Sequence, residues 1–141
     1  MFKKIFKKEK KENSEDKNIL VAALLIHAAK IDENYSDIEK KIIKEALINL
    51  NNINSDQAEE LMNLAEKKEE GSNQMIEFTR EIKKHPMEFR LKIIEIIWKI
   101  VYSDDVSDNY ESNLIRRICG LLYISDKDNG IIRTKVKNSQ K

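Results

Sequence analysis

The sequence predicts an all-α protein, a bundle of about seven helices built around an internal repeat of a helix–acidic loop–helix unit. Three observations indicate this fold. The 141 residues include only three glycines and one proline, which are too few breakers for the many turns of a β-protein. Apolar residues recur at helical spacing along most of the chain. A shift of 72 residues also lays one helix–loop–helix segment over another.

The first 17 residues are expected to form an arm outside a helical domain at 18–136, with 137–141 as a tail. Residues 1–11 hold six lysines and one glutamate, a local charge of +5, so the remaining residues sum to −4. Phe2, Ile5 and Phe6 share one face among these lysines, a pattern that favours weak contact with an anionic membrane surface. The alternative is a solubilising tail. No apolar stretch follows that would make the segment a signal peptide.

Two helices are expected before residue 51. Helix one runs from about Asp16 to Ile31, and its segment 19–26 is apolar on every face, which is typical of a helix buried in a bundle. Ser36 and Glu39 have the spacing of a capping box and predict the start of helix two. The predicted inner stripe of helix two is Ile38, Ile42, Ile43, Ala46, Leu47 and Leu50.

Three further helices are expected between residues 55 and 102. Ser55 is predicted to cap helix three, and Pro86 suits the first position of helix five. Helix five is the second strongly apolar helix and carries Trp98. The predicted inner residues of helix three are Ala58, Leu61, Met62, Leu64 and Ala65. Those of helix four are Met75, Ile76, Phe78 and Ile82.

The last two helices follow a second acidic segment. Asp108 and Glu111 repeat the N-terminal cap pattern before helix six. Ser125 is expected to cap a short last helix containing Ile131, Ile132 and Val136. The predicted inner stripe of helix six is Leu114, Ile115, Ile118, Cys119 and Leu122.

The repeat joins these segments in pairs. The 72-residue shift places Asp32 on Asp104 and Glu39 on Glu111, while the buried Ile26 falls on Trp98. Matching apolar positions could arise from a shared helical period. An aspartate and a glutamate seven residues apart, matched between two helices, are harder to obtain in that way. We therefore predict a true duplication.

These residues carry a resemblance to the TerB (tellurite-resistance) family. The pattern is an Ala-rich apolar helix leading through Asp32-Glu33 to Glu39. It is repeated from Trp98 through Asp104-Asp105 to Glu111 and closed by Leu121-Leu-Tyr-Ile-Ser-Asp126. The resemblance covers roughly residues 18–136. It implies an all-helical bundle of about seven helices with internal pseudo-twofold symmetry.

The resemblance also implies a functional context. TerB-like proteins are linked to tellurite and other stress responses, to membrane partners and to metal binding by acidic residues. A TerB-like domain also occurs in a membrane-anchored J-domain co-chaperone. Family loops usually have glycine after the aspartate, whereas this chain has Glu33 and Asp105 at those places. The replacements add two carboxylates to the loops.

The acidic loops are the candidate metal site, and Ca²⁺ or another divalent cation is the expected cofactor because hard cations need several oxygen ligands. The predicted ligands are Asp32, Glu33, Glu39, Asp104, Asp105 and Glu111. Each has an alternative role. Glu39 and Glu111 suit capping boxes. Asp32 and Asp104 could instead accept backbone N–H bonds that fix the loops, although a helix C-terminus disfavours an anion.

Nothing in the sequence predicts an enzyme. His27 and His85 are not equivalent in the repeat, and Cys119 lies on an inner stripe without a histidine base. The predicted function is a cytoplasmic, non-enzymatic module at or near the inner membrane face, binding a cation, a partner protein or both through its loops. The alternative is a purely structural interaction scaffold without a metal site. Nucleic acid is not an expected partner of the acidic body.

Overall fold

The computed structural model describes residues 18–30, 35–71, 75–103 and 109–139. Over these ranges the chain forms seven α-helices and no strands, so the all-α prediction is confirmed. The internal repeat stays a prediction, as do the limits of the arm, the domain and the tail. The helices are α1 (18–29), α2 (Asp37–Asn51), α3 (Ser55–Gly71), α4 (Met75–Lys83), α5 (Met87–Tyr102), α6 (Asn109–Leu121) and α7 (Asp126–Ser139).

Two helices, α1 and α5, supply much of the buried core. Every residue from 21 to 29 is buried except His27, which is partly exposed. The helix α5 packs against α2, α4, α6 and α7. A helix that is apolar on every face has no surface that is favourably exposed to water, so neighbouring helices bury it on all sides. Ile26 and Trp98 both lie in this core, as predicted.

Local side-chain bonds set two of the predicted helix starts. The Ser36 Oγ accepts a bond from the Glu39 backbone N–H at 3.2 Å, and Glu39 Oε1 accepts one from the Ser36 backbone N–H at 3.1 Å. This reciprocal pair is the predicted capping box. Ser125 Oγ likewise accepts a bond from the Asp128 N–H at 3.1 Å and caps α7. The predicted cap at Asp108 lies outside the described residues.

Two other predicted starts are displaced by one residue. Helix α3 is capped by Asn54 and not by Ser55, because Asn54 Oδ1 accepts from the Gln57 N–H at 2.8 Å and Gln57 Oε1 accepts in return from the Asn54 N–H at 3.0 Å. Ser55 has Ala58 three residues later, which cannot complete a capping box. Pro86 precedes the first residue of α5 at the N-cap and is not that first residue itself.

Three residues predicted to face inward are exposed instead. Ile38 is 60% exposed, Leu64 is 44% exposed and Ile76 is 56% exposed. Each lies at the edge of an apolar stripe, and the width of the buried part depends on which neighbouring helices cover that edge. The last helix is also longer than predicted, with 14 residues. No helix within the described ranges has the length and apolar character needed to cross a bilayer.

Candidate functional site beside the first acidic loop

The described residues flank the first acidic loop on both sides, with Lys30 before it and Tyr35 after it. Four of the six predicted ligands lie outside the described residues: Asp32, Glu33, Asp104 and Asp105. Glu111 lies in α6, but its side chain is outside them as well. Glu39 is therefore the predicted ligand around which the site can be built. Within the described part of the chain, no group of three or more histidine, cysteine or acidic residues is arranged to hold a metal ion.

Glu39 has a structural role that accounts for its burial. The side chain is almost completely buried, and its Oε1 accepts bonds from both the backbone N–H and the hydroxyl of Ser36, at 3.1 and 3.0 Å. A buried carboxylate needs such partners because an unpaired one would lose its hydration without compensation. The predicted capping role of Glu39 is thus confirmed. Its coordination of a metal stays a prediction.

Tyr35 ties the end of the first loop to α3. Its hydroxyl donates a bond to Glu66 Oε1 at 3.0 Å across 31 residues of sequence. The Lys40 ammonium lies 4.8 Å from the centre of the Tyr35 ring, and that of Lys30 lies 5.8 Å away. The ring is half-buried between these groups. Tyr35 therefore attaches the chain to α3 directly after the loop and before α2 begins.

Glu69 ties the beginning of the same loop to α3. Its Oε2 accepts a bond from the Lys30 ammonium at 2.8 Å, and its Oε1 lies 3.3 Å from His27 Nδ1. Glu69 is buried, whereas Lys30 keeps partial contact with water. His27 is partly exposed. Its contact with Glu69 was not predicted.

Charged groups of both signs surround Tyr35. Burial raises the pKa of the Tyr35 hydroxyl well above its usual range, and the bond to Glu66 and the charges of Glu66, Glu39 and Glu69 raise it further. The hydroxyl consequently remains a hydrogen-bond donor at physiological pH. Three carboxylates from α2 and α3 thus lie near the Tyr35 hydroxyl, and the ammonium groups of Lys30 and Lys40 lie near its ring.

A polar groove adjoins this site. It lies between α2 and α3 and has a volume of about 430 Å³. Its lining carries both signs of charge in close alternation, and Glu66 belongs to both the groove and the Tyr35 contact. The charged residues that line it are Asp37, Lys40, Lys41, Lys44, Glu59 and Glu66. Such a lining suits a charged peptide segment better than an apolar ligand.

The candidate nucleophile of the chain is inert. Cys119 is buried, as predicted, and burial raises the pKa of its thiol to about 12, with a further contribution from the charge of Asp126. The thiolate, which is the reactive form, is therefore negligible near neutral pH. His85, the second histidine, stacks on Phe89 with ring centres 4.3 Å apart.

A family model described as tellurite resistance protein TerB matches residues 18–134. The matched range includes all of the described helices except the last residues of α7. Neither the curated proteins nor the solved structures contain a significant match.

Proposed function

The chain belongs to the TerB family, and from that premise we propose that it is a tellurite-resistance-related module that binds a divalent cation through its acidic loops. Calcium is the first cation to test. In this proposal Asp32 and Glu33 are ligands in the first loop, and Asp104 and Asp105 are their counterparts in the second. The module acts by binding and has no catalytic step.

The observation that carries the proposal is the anchoring of the first loop at both ends. Lys30 is bound to Glu69 and Tyr35 to Glu66, and both glutamates belong to α3. Only four residues separate Lys30 from Tyr35, and two of them are Asp32 and Glu33. Ligands held on a short anchored segment lose less conformational entropy on binding than ligands on a long loop.

The surrounding charge supports the same proposal. Glu39, Glu66 and Glu69 outnumber the Lys30 and Lys40 ammonium groups around Tyr35, and the net negative charge favours the approach of a cation. Their own oxygens already accept bonds from Ser36, Tyr35 and Lys30. We therefore assign these glutamates to holding the loop and attracting the ion. The groove between α2 and α3 favours a second candidate function, in which the module binds a charged segment of a partner protein without a metal.

The cation proposal predicts a rise in stability. Millimolar Ca²⁺ should raise the melting temperature in scanning calorimetry, since a ligand that binds only the folded state stabilises it by about 2.7 kcal/mol at a hundredfold excess over its dissociation constant. The double variant Asp32→Asn/Asp104→Asn should lose this rise. A matched control, Asp56→Asn/Glu60→Gln, removes the same charge from exposed positions of α3 and should keep it.

The same double variant separates a ligand from a structural aspartate without any metal. Ligand aspartates repel one another, so their replacement should leave the metal-free protein equally or more stable. If the aspartates hold the loop, their replacement should instead destabilise the metal-free protein, because an amide accepts backbone hydrogen bonds less well than a carboxylate. No response to Ca²⁺, Mg²⁺ or Mn²⁺, together with a destabilised double variant, would retire the cation site and favour the scaffold function.

We also propose weak contact between the basic arm and anionic membranes through Phe2, Ile5 and Phe6. Each lysine near such a surface contributes about 1 kcal/mol, a contribution that salt screens. The full chain should sediment with vesicles containing phosphatidylserine, and less so as salt is added. A chain that begins at Asp16 serves as the comparison, and equal sedimentation of the two chains would contradict the proposal.

A further inference from the structure

An apolar pocket lies open where α1 begins. It has a volume of about 300 Å³ and is formed by the first turn of α1, the segment after α2, and α3. Its apolar lining consists of Ile19, Ile53, Leu61 and Leu64, with Asn18, Gln57 and Glu60 as the polar remainder. Leu64 is 44% exposed there. The bundle therefore leaves a concave apolar surface without a cover among the described residues.

The rim of this pocket is negatively charged. Its lining contains Glu60 and no lysine or arginine, and Asp56 lies one helical turn before Glu60 on α3. Asp56 and Glu60 are exposed, and neither makes an ion pair with another described residue. Glu59, by contrast, is paired with Lys44 at 3.4 Å. A positively charged apolar segment would complement both the lining and the rim.

The chain itself contains such a segment next to the pocket. The described residues begin at Asn18, which is part of the pocket lining. Residues 1–11 precede it with a local charge of +5 and contain Phe2, Ile5 and Phe6. Eleven residues separate Phe6 from Asn18, and a chain of that length spans up to about 40 Å. Phe6 can consequently reach every part of the pocket.

We propose that the N-terminal arm docks in this pocket of its own chain. Phe2, Ile5 and Phe6 supply the apolar contacts to Ile53 and Leu64, and the neighbouring lysines face the acidic rim. A short covalent connection gives an effective concentration in the millimolar range, so a contact too weak to hold a separate peptide is sufficient here. The inference is independent of the cation site.

Docking and membrane contact use the same three apolar residues, so they exclude each other. When the arm is docked in the pocket, Phe2, Ile5 and Phe6 cannot contact a membrane surface. When the arm is bound to a membrane, Leu64 and the acidic rim of α3 have no contact with it. The docked state is accordingly tested with the full chain in solution and without vesicles.

Paramagnetic broadening of amide NMR signals tests the docked state. A nitroxide is attached at position 4 of the Lys4→Cys variant. The native Cys119 stays unlabelled because it is buried and its raised pKa keeps it protonated. We expect the amides of Ile53, Leu61 and Leu64 to lose most of their intensity, relative to the same sample with the nitroxide reduced.

A matched pair of variants tests the apolar contact. Leu64→Ser should restore the lost intensity, whereas Ile131→Ser, a similar change at a 58% exposed residue of α7, should leave the broadening unchanged. Persistence of the broadening in Leu64→Ser would overturn the proposal. Weak broadening spread evenly over the surface would overturn it too, as would broadening concentrated in the polar groove between α2 and α3.

A mixed sample separates docking within one chain from docking between two. Isotope-labelled chains without a nitroxide are combined with nitroxide-labelled chains of natural isotope content. Docking within the chain predicts no broadening at Ile53 or Leu64 in this mixture. Broadening there would show that the arm binds a second copy, and the intramolecular proposal would be wrong.

Discussion

Replacing Trp98 by alanine should lower the free energy of unfolding by about 3–5 kcal/mol, the usual cost of removing a large buried aromatic side chain. Trp98 is 1% exposed, and its ring stacks on Tyr102 with centres 5.6 Å apart. Its Nε1 donates a bond to Asn129 Oδ1 at 2.9 Å, and the Arg133 guanidinium lies 4.9 Å from the ring centre. Urea denaturation followed by circular dichroism measures the loss.

Trp98→Phe separates packing from hydrogen bonding at this position. It keeps an aromatic ring but leaves Asn129 without the indole donor, so the expected cost is smaller, about 1–3 kcal/mol. Since domains are stable by only about 5–15 kcal/mol, the alanine variant should be marginal while the phenylalanine variant still folds. A Trp98 fluorescence maximum typical of a water-exposed indole in the native protein would contradict the buried position.

Replacing Phe78 by alanine should cost a similar amount, about 3–5 kcal/mol, whereas Ile76→Ala should change stability by no more than about 0.5 kcal/mol. Phe78 is completely buried and its ring lies 6.4 Å from that of His27, which joins α4 to α1. Ile76 is 56% exposed two residues earlier. The same urea measurement on both variants compares the two faces of α4.

The pair decides between two orientations of α4. Both side chains are predicted to face inward, but residues two positions apart lie about 200° apart around a helix axis, so one face cannot bury both. In the structure Phe78 is buried and Ile76 is exposed. A large loss of stability in Ile76→Ala would favour the orientation expected from the pattern and contradict the observed one.

The burial of the core helices was predictable because their sequences leave no polar face to contact water. Segment 19–26 has no polar face, so any fold that contains it as a helix must surround it. Two helix starts were predictable from the local sequence, since Ser36 and Ser125 each accept a hydrogen bond from the backbone N–H three residues later. The exposure of Ile38 and Ile76 was not predictable. Helical periodicity gives the direction of an apolar stripe, but the packing of the neighbouring helices determines how much of that stripe is buried.

The site beside the loop was predictable only in part. Glu39 appeared in the sequence as a cap, and the structure confirms that role. The contacts of Tyr35 with Glu66 and of His27 with Glu69 join residues 31 and 42 positions apart, and no local pattern links them. One signal was present: Glu69 continues the helical spacing of the buried Ala58, Met62 and Ala65. A charged residue on such a stripe predicts a buried ion pair.

The central position of α1 has a consequence for the chain during its synthesis. This helix leaves the ribosome before the helices that cover it, and Phe78 follows Ile26 by 52 residues. At roughly 5–20 residues per second, segment 19–26 stays uncovered for roughly 3–10 s, which favours capture by chaperones or aggregation of nascent chains. Glu15, Asp16 and Lys17 lie directly ahead of the segment in the sequence, and charges that flank an apolar segment oppose such aggregation.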